Sequence, residues 1–183
     1  MAEHLDDKEL LRQFNDPVTK EAGFTRIIKK YQEKLYWHIR RLVVEHEDAN
    51  DVLQNMFIKV WNGLSNFRED SQLYTWLYRI ATNESLTYLE QQKKRSAVSL
   101  SDVESGLSNR LKADKHFDAN KLEWKLQAAI QQLPEKQRVV FNLRYYDEMP
   151  YEQMSEVLET SEGALKASYH HAVKKIEDYI LNH

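Results

Sequence analysis

Apolar side chains recur at intervals of three and four along nearly the whole chain, the spacing of helices that bury one face. The period is cleanest from Asp48 to Leu64. There Ala49, Val52, Leu53, Met56, Phe57, Val60, Trp61 and Leu64 fall on one side of a helical wheel. At roughly 100° per residue the opposite side holds Asp51, Gln54, Asn55 and Asn62, with Ile58 in their midst. A single outward isoleucine is ordinary on a soluble protein. An apolar anchor ringed by short acids and amides is also the make-up of a docking face. The pattern alone leaves both readings open.

Other elements follow from the same spacing. Leu10, Leu11 and Phe14 predict a short opening helix that ends near Asp16-Pro17. Phe24, Ile27, Ile28, Tyr31, Leu35 and Ile39 mark a long helix reaching Arg40-Arg41. After a polar loop from Ser65 to Gln72, a helix from about Leu73 to Arg95 carries a stripe of Leu73, Trp76, Leu77, Ile80, Ala81 and Tyr88. Lys93, Lys94 and Arg95 close it, where cations meet the negative end of the helix dipole. Ser96 to Asn109, with five serines and a glycine, reads as a linker, and Leu107 to Phe117 as weakly helical.

The helical pattern resumes near Asn120 with Leu122, Leu126, Ala129, Ile130 and Leu133, and stops at Pro134. Pro134-Glu135 is a helix start, proline first and an acid in the first turn, burying Val139, Val140 and Leu143. A turn over Tyr145 to Met149 leads into a short helix from Pro150 with Tyr151, Met154, Val157 and Leu158. Thr160-Ser161 interrupts it. Ser161 is then an N-cap for a last helix with Leu165, Tyr169, Ala172, Ile176 and Ile180. The expected fold is all-α: two small helical domains, residues 1–95 and 120–183, joined by a flexible linker over 96–119.

Composition narrows the class. Of 183 residues 42% are hydrophobic and 30% charged, with 4 glycines and 3 prolines, too few for a turn-rich β fold. No cysteine is present, which excludes disulfides and thiolate metal sites and suits a reducing compartment. No signal peptide is evident in the polar start Met1–Asp7, and no apolar run approaches a membrane span. A cytoplasmic protein is expected. The net charge of −3 argues against strong, autonomous nucleic-acid binding. Residues 1–95 carry 15 basic and 15 acidic side chains, 96–133 carry 5 and 5, and 134–183 carry 6 and 9. All the excess acid lies in the last segment, so DNA contacts there rest on a few placed cations.

A short helix, a polar break of about three residues and a longer helix is the spacing of a helix-turn-helix, shared with many pairs that never touch DNA. Ser161, Glu162, Gly163 and Ala164 keep the start of the last helix small and polar, so that it can approach a groove closely. Lys166, His170, His171, Lys174 and Lys175 follow, within reach of phosphates or base edges. The acids Glu156, Glu159 and Glu162 fit a merely solvated face.

Taken together and in order, these segments resemble the extracytoplasmic-function sigma factors, small promoter-specificity subunits of bacterial RNA polymerase. The stretch from Asp48 to Trp61 is similar to the family's region 2.2. Phe67-Arg68 and Thr75-Trp-Leu-Tyr-Arg-Ile-Ala-Thr-Asn83 are similar to regions 2.3 and 2.4. Leu133-Pro-Glu-Lys-Gln-Arg-Val-Val-Phe141 resembles region 4.1, and Pro150 to Lys166 the helix-turn-helix of region 4.2.

The resemblance implies roles. Asp48, Asp51, Gln54, Asn55, Ile58 and Asn62 would dock on the β′ clamp coiled coil of core RNA polymerase. Phe67, Arg68, Asp70, Ser71, Gln72, Tyr74, Trp76, Arg79 and Asn83 would hold the melted -10 element of promoter DNA. Lys93, Lys94 and Arg95 would meet its phosphates. Arg79 and Asn83 lie one turn apart on a polar face, whereas Trp76 sits at core spacing. Ser161, Glu162, Gly163, Ala164, Lys166, Ala167, Ser168, His170, His171 and Lys174 would read the -35 duplex, with region 4 seated on the β flap. Many relatives have arginine where this chain has Ser168, His171 and Val173, which removes bidentate guanine readers here. An anti-sigma factor is a further partner that the resemblance adds.

Two other classes compete. A plain helix-turn-helix regulator, acting without being a polymerase subunit, accounts for the C-terminal half but leaves the Ile58 face without a purpose. Catalysis is not expected. Glu45-His46-Glu47-Asp48 and His170-His171 lack the paired histidines and third ligand of a helical zinc site, and no phosphate loop or nucleophile motif is present. No cofactor is implied.

Overall fold

The computed structural model describes residues 6–95 and 121–183, so the expected linker and the weakly helical stretch after it lie outside the described residues. All regular structure among the described residues is helical: α1 Asp7–Asn15, α2 Lys20–Val43, α3 His46–Gly63, a 3-10 turn Leu64–Asn66, α4 Leu73–Arg95, α5 Lys121–Gln131, α6 Glu135–Tyr145, α7 Tyr151–Leu158 and α8 Glu162–Asn182. The expected all-α class holds. Helix α3 begins two residues earlier than its apolar period suggests, with Glu47 and Asp48 placed in the first turn against the positive end of the dipole.

Helices α1 to α4 pack around Phe14, Ile27, Leu35, Ile39, Met56, Val60 and Leu77, each essentially inaccessible to water. Helix α1 crosses α2 at Gly23, where a Cβ would stand 2.7 Å from the backbone nitrogen of Phe14. A glycine inside a helix costs about 1 kcal/mol relative to alanine. Close backbone approach is what it permits here.

The second group, α5 to α8, has its own small core of Ala129, Ile130, Leu133, Phe141, Ala172 and Ile176. The two groups are not separate bodies in this arrangement. Val139, Val140 and Leu143 of α6, Met149, Met154 and Val157 around α7, and Leu165 of α8 join the same apolar cluster as Leu77, Tyr78 and Ala81 of α4. Helix α7 lies along α4, and α6 touches α2.

That contact explains where the observed α4 departs from its apolar stripe. Thr75, Tyr78, Thr82 and Ser85 are buried, while Trp76, Ile80 and Tyr88 are only half-buried. The helix is covered by α2 and α3 on one side and by α7 on another. Two of its small hydroxyls are satisfied locally: Thr82 donates to the Tyr78 carbonyl at 2.7 Å and Ser85 to the Ala81 carbonyl at 2.8 Å.

Burial, and then neighbouring carboxylates, raise the phenols of Tyr31 and Tyr78 well above the usual tyrosine value. Tyr31 donates to Asp7 at 2.7 Å, and Tyr78 donates to Asp147 at 3.2 Å. A raised folded-state value means that the stabilisation is complete below about pH 10, the unfolded value, and is lost as pH climbs beyond it. Phenolate absorbance at alkaline pH is therefore expected to show these two rings ionising only together with loss of the helical circular-dichroism signal. Reversible titration of all 10 tyrosines near their free value, with helicity intact, would contradict this burial.

Candidate nucleic-acid and polymerase interfaces

The outward face of α3 is laid out as its period dictates. Asp51, Gln54, Asn55 and Asn62 are exposed, and Ile58 stands among them with 53% of its surface open. Opposite them Ala49, Val52, Met56 and Val60 are sealed in the core. Asp48 differs from the rest. It is half-buried and bonded to Tyr88 of α4, whose phenol is pushed up to about 12 by burial first and by Asp48 second. Asp48 thus ties α3 to α4, at the edge of the open face.

A second surface is built where the 3-10 turn enters α4. Phe67 packs on Trp76 with ring centroids 5.1 Å apart, and Trp76 also lies over Gly63, where an added Cβ would be 3.5 Å away. Trp76 is therefore part-core and part-surface. Arg68 and Asp70 are exposed beside it, and Ser71 is half-buried. Tyr74 turns inward, its ring tilted at 42° to that of Tyr78 with centroids 4.5 Å apart, and burial raises its phenol. Asn83 is exposed, as are Lys94 and Arg95.

Three residues of this surface are engaged by the C-terminal half. Gln153 Nε2 donates to Gln72 Oε1 at 3.5 Å. Arg79 is paired with Glu159, the left-handed residue (φ 51°) that ends α7, and Lys93 is paired with Glu135 at the start of α6.

Helices α7 and α8 form the expected helix-turn-helix. Ser161 caps α8, its hydroxyl accepting from the Ala164 amide at 3.3 Å. Glu162, Gly163, Ala164, Lys166 and Ala167 are all exposed, and a Cβ on Gly163 would meet nothing within 4 Å. The start of α8 is an open, small-residue edge. Lys166 lies 3.8 Å from Glu162 and over the Tyr151 ring. His170, His171 and Lys174 are exposed, whereas Ser168 is half-buried. Arg144 donates to the Met149 carbonyl at 3.1 Å and also lies over the Tyr151 ring, 4.8 Å from its centre, tying the turn before α7 to that helix.

One polar node escaped the sequence pattern. Asp147, in the turn after α6, meets His38 and Arg41 of α2 and Tyr78 of α4. A histidine at Leu35–Ile39 core spacing was the available signal. The acid–histidine run at the start of α3 is structural: His46 is held by the Tyr36 hydroxyl at 2.6 Å and by Asn50 at 3.1 Å. Among the described residues no group of three or more His, Asp or Glu is placed to hold a metal ion. No described helix is long and apolar enough to cross a membrane.

Comparison with known proteins agrees with this layout. The family profile "Sigma-70 region 2" matches residues 27–95, and "Sigma-70, region 4" matches residues 123–176. The RNA polymerase sigma-H factor of Pseudomonas aeruginosa is 33% identical over 86% of each chain. The ECF RNA polymerase sigma-E factor of Escherichia coli K12 is 30% identical over 98% of this chain and 97% of its own. Among solved structures, the sigma factor RpoE in complex with the anti-sigma factor NepR from Bartonella quintana superposes with a TM-score of 0.64 at 18% identity. That match covers 86% of this chain and 96% of the other, and shares the fold. With both sigma regions present in order and whole-length relatives of one kind, the chain belongs to the extracytoplasmic-function sigma factors of the sigma-70 family.

Proposed function

We propose that the open face of α3 is the docking surface for core RNA polymerase, and that α4 and α8 divide promoter recognition between them. The observation that carries the reading is the α3 face: one exposed isoleucine inside a rim of short acids and amides, on a helix whose other side places Ala49, Val52, Met56 and Val60 in the core. Anchor and rim of this kind concentrate binding energy at the anchor. Residues 1–95 act as the polymerase-binding and -10 domain, residues 120–183 as the -35 domain, and the segment between them as the tether.

On α4, Arg79 and Asn83 carry the donors for base edges and phosphates, with Phe67 and Trp76 as the aromatic support that unstacked bases need. On α8, the exposed Ser161–Ala164 edge approaches the groove, and Lys166, His170, His171 and Lys174 make the contacts. Two lysines are few cations for a duplex contact, so duplex affinity from α8 alone is weak and is shared with polymerase contacts. The protein acts in the cytoplasm and catalyses nothing itself. An anti-sigma factor is a further proposed partner, since the related RpoE was solved bound to one.

Transcription from fragmented genomic DNA by sigma-free core enzyme plus this protein tests the reading. Discrete start sites sharing two upstream motifs are expected. Arg79→Ala with Asn83→Ala is expected to lower initiation about tenfold or more at unchanged core affinity, each contact being worth about 1–3 kcal/mol. Duplex binding without any core complex would instead mark a plain helix-turn-helix regulator.

A further inference from the structure

The node around Asp147 has a construction that simple packing does not require. The carboxylate comes from the C-terminal half, and its side-chain partners among the described residues come from the N-terminal half. One oxygen faces His38 Nδ1 at 3.2 Å; the other accepts from the Tyr78 hydroxyl at 3.2 Å and from Arg41 Nη1 at 3.4 Å. The Asp147 side chain is only 7% exposed. His38 is fully buried, and its second nitrogen faces the Thr82 hydroxyl at 2.8 Å. Arg41 also lies over the Tyr146 ring, 4.4 Å from its centre, and its carbonyl accepts from Gln131 at 3.3 Å.

Around this node the α7–α4 contact runs along the DNA-facing surface of the N-terminal half. Glu159 and Glu135 neutralise Arg79 and Lys93, and Gln153 meets Gln72. The acid excess of residues 134–183 thus has a place: part of it sits where the negative charge of a DNA strand would sit. The face of α3 around Ile58 remains open in the same arrangement. The contact is not polar alone: Val139, Val140, Leu143, Met154 and Val157 share one apolar cluster with Leu77, Tyr78 and Ala81, so apolar burial gives the halves cohesion while the charged and hydrogen-bonded pairs fix where they meet.

We propose that Asp147 is the bolt of an intramolecular latch, which folds the helix-turn-helix half over the -10 face of α4 while leaving the polymerase face of α3 free. The ordering follows. The free chain docks on core polymerase while still latched, and release of Asp147 then uncovers Arg79, Lys93 and Gln72 for the melted strand. This rests on the functional reading above, because it assigns α3 to polymerase and α4 to DNA. Loss of a carboxylate that is buried against a histidine and an arginine leaves those groups uncompensated, so the latched population is expected to fall about tenfold or more.

The test uses the full chain, whose lack of native cysteine makes introduced labels unambiguous. Spin labels at Glu33→Cys and Asp178→Cys, both exposed positions on α2 and α8, report the distance between the halves. One narrow distance is expected with Asp147 present, and a broad, longer distribution with Asp147→Ala. Glu135→Gln with Glu159→Gln removes only the peripheral pairs and is expected to broaden the distribution partially, a check that does not depend on the buried site tolerating alanine. Binding of the free protein to a random-sequence single-stranded DNA pool is expected to rise about tenfold in Asp147→Ala, with core-polymerase affinity unchanged. Identical distance distributions in all three proteins overturn the latch. A tenfold gain in polymerase affinity for Asp147→Ala overturns the ordering, since it would mean that the closed form hides the α3 face. If none of the proteins binds core enzyme, the polymerase reading and the ordering fail together, while the distances still decide whether Asp147 holds the halves closed.

Discussion

Ile58→Glu is expected to weaken assembly with core RNA polymerase by about 30-fold or more and to leave the fold untouched. Truncating a central interface anchor costs about 2–4 kcal/mol, and about 1.4 kcal/mol is a tenfold change in Kd. A charge at that position adds the desolvation of a carboxylate beside Asn55, Asn62 and Asp51, all exposed on the same face. The fold should not notice, because over half of the Ile58 surface already meets water and surface changes shift stability by about 0.5 kcal/mol at most. Anisotropy of the labelled protein titrated with core enzyme measures the loss, and the thermal unfolding midpoint is the control. Ile58→Ala should fall between the two proteins. An unchanged Kd for Ile58→Glu would remove the α3 face from the polymerase interface.

Phe14→Ala carries the largest expected effect on stability, about 3–5 kcal/mol. Its ring is 1% exposed and meets Trp61 edge-on at 5.4 Å and Phe24 at 6.0 Å. Lys20 places its ammonium 4.9 Å from the centres of both the Phe14 and Trp61 rings, a contact worth about 0.5–1 kcal/mol on its own. Helix α1 has nine residues, too few to persist without packing, and its close passage over Gly23 leaves no alternative seat. The loss is a large part of the net stability of a small domain, about 5–15 kcal/mol. Urea unfolding gives the magnitude, and amide exchange in α1 should show that this helix is released first. A shift below about 1 kcal/mol would mean that α1 is dispensable to the core. The segment lies N-terminal to the residues matched by the sigma region 2 profile, so its weight comes from packing and not from the family pattern.

Helix existence and helix type were legible in the chain, and so was the inward side of α3, because a 3.6-residue period needs no knowledge of what lies opposite. The stripes of α4 and α5 were read less well, Leu122 being exposed and Trp76, Ile80 and Tyr88 only half-buried. The α3 wheel, the Ser161 cap and the Pro134-Glu135 start were readable for that reason, each being set by contacts within one turn. What escaped was any feature that depends on two helices distant in sequence. Thr75, Tyr78, Thr82 and Ser85 break the apolar stripe of α4, yet they are buried: Thr82 and Ser85 bond to carbonyls of their own helix, and Tyr78 bonds to Asp147 of the other half.

Asp147 shows the same limit from the charged side. In the sequence it is one acid in an acidic turn, and nothing local distinguishes it from Glu148. Only the docking of α7 along α4 brings it within reach of His38, Arg41 and Tyr78, 109, 106 and 69 positions away. Trp76 divides between the two levels, its spacing pointing inward while its half-exposed ring lies against Phe67 and Gly63. The sequence by itself therefore determined the all-α class and the outward face of α3, which rest on periodicity and short-range order, while the family was legible as a resemblance of ordered motifs. Tertiary structure alone decided which of the residues expected to face DNA are covered and which carboxylate lies between the two halves, because electrostatic contacts depend on distance in space, which residue spacing along the chain does not encode.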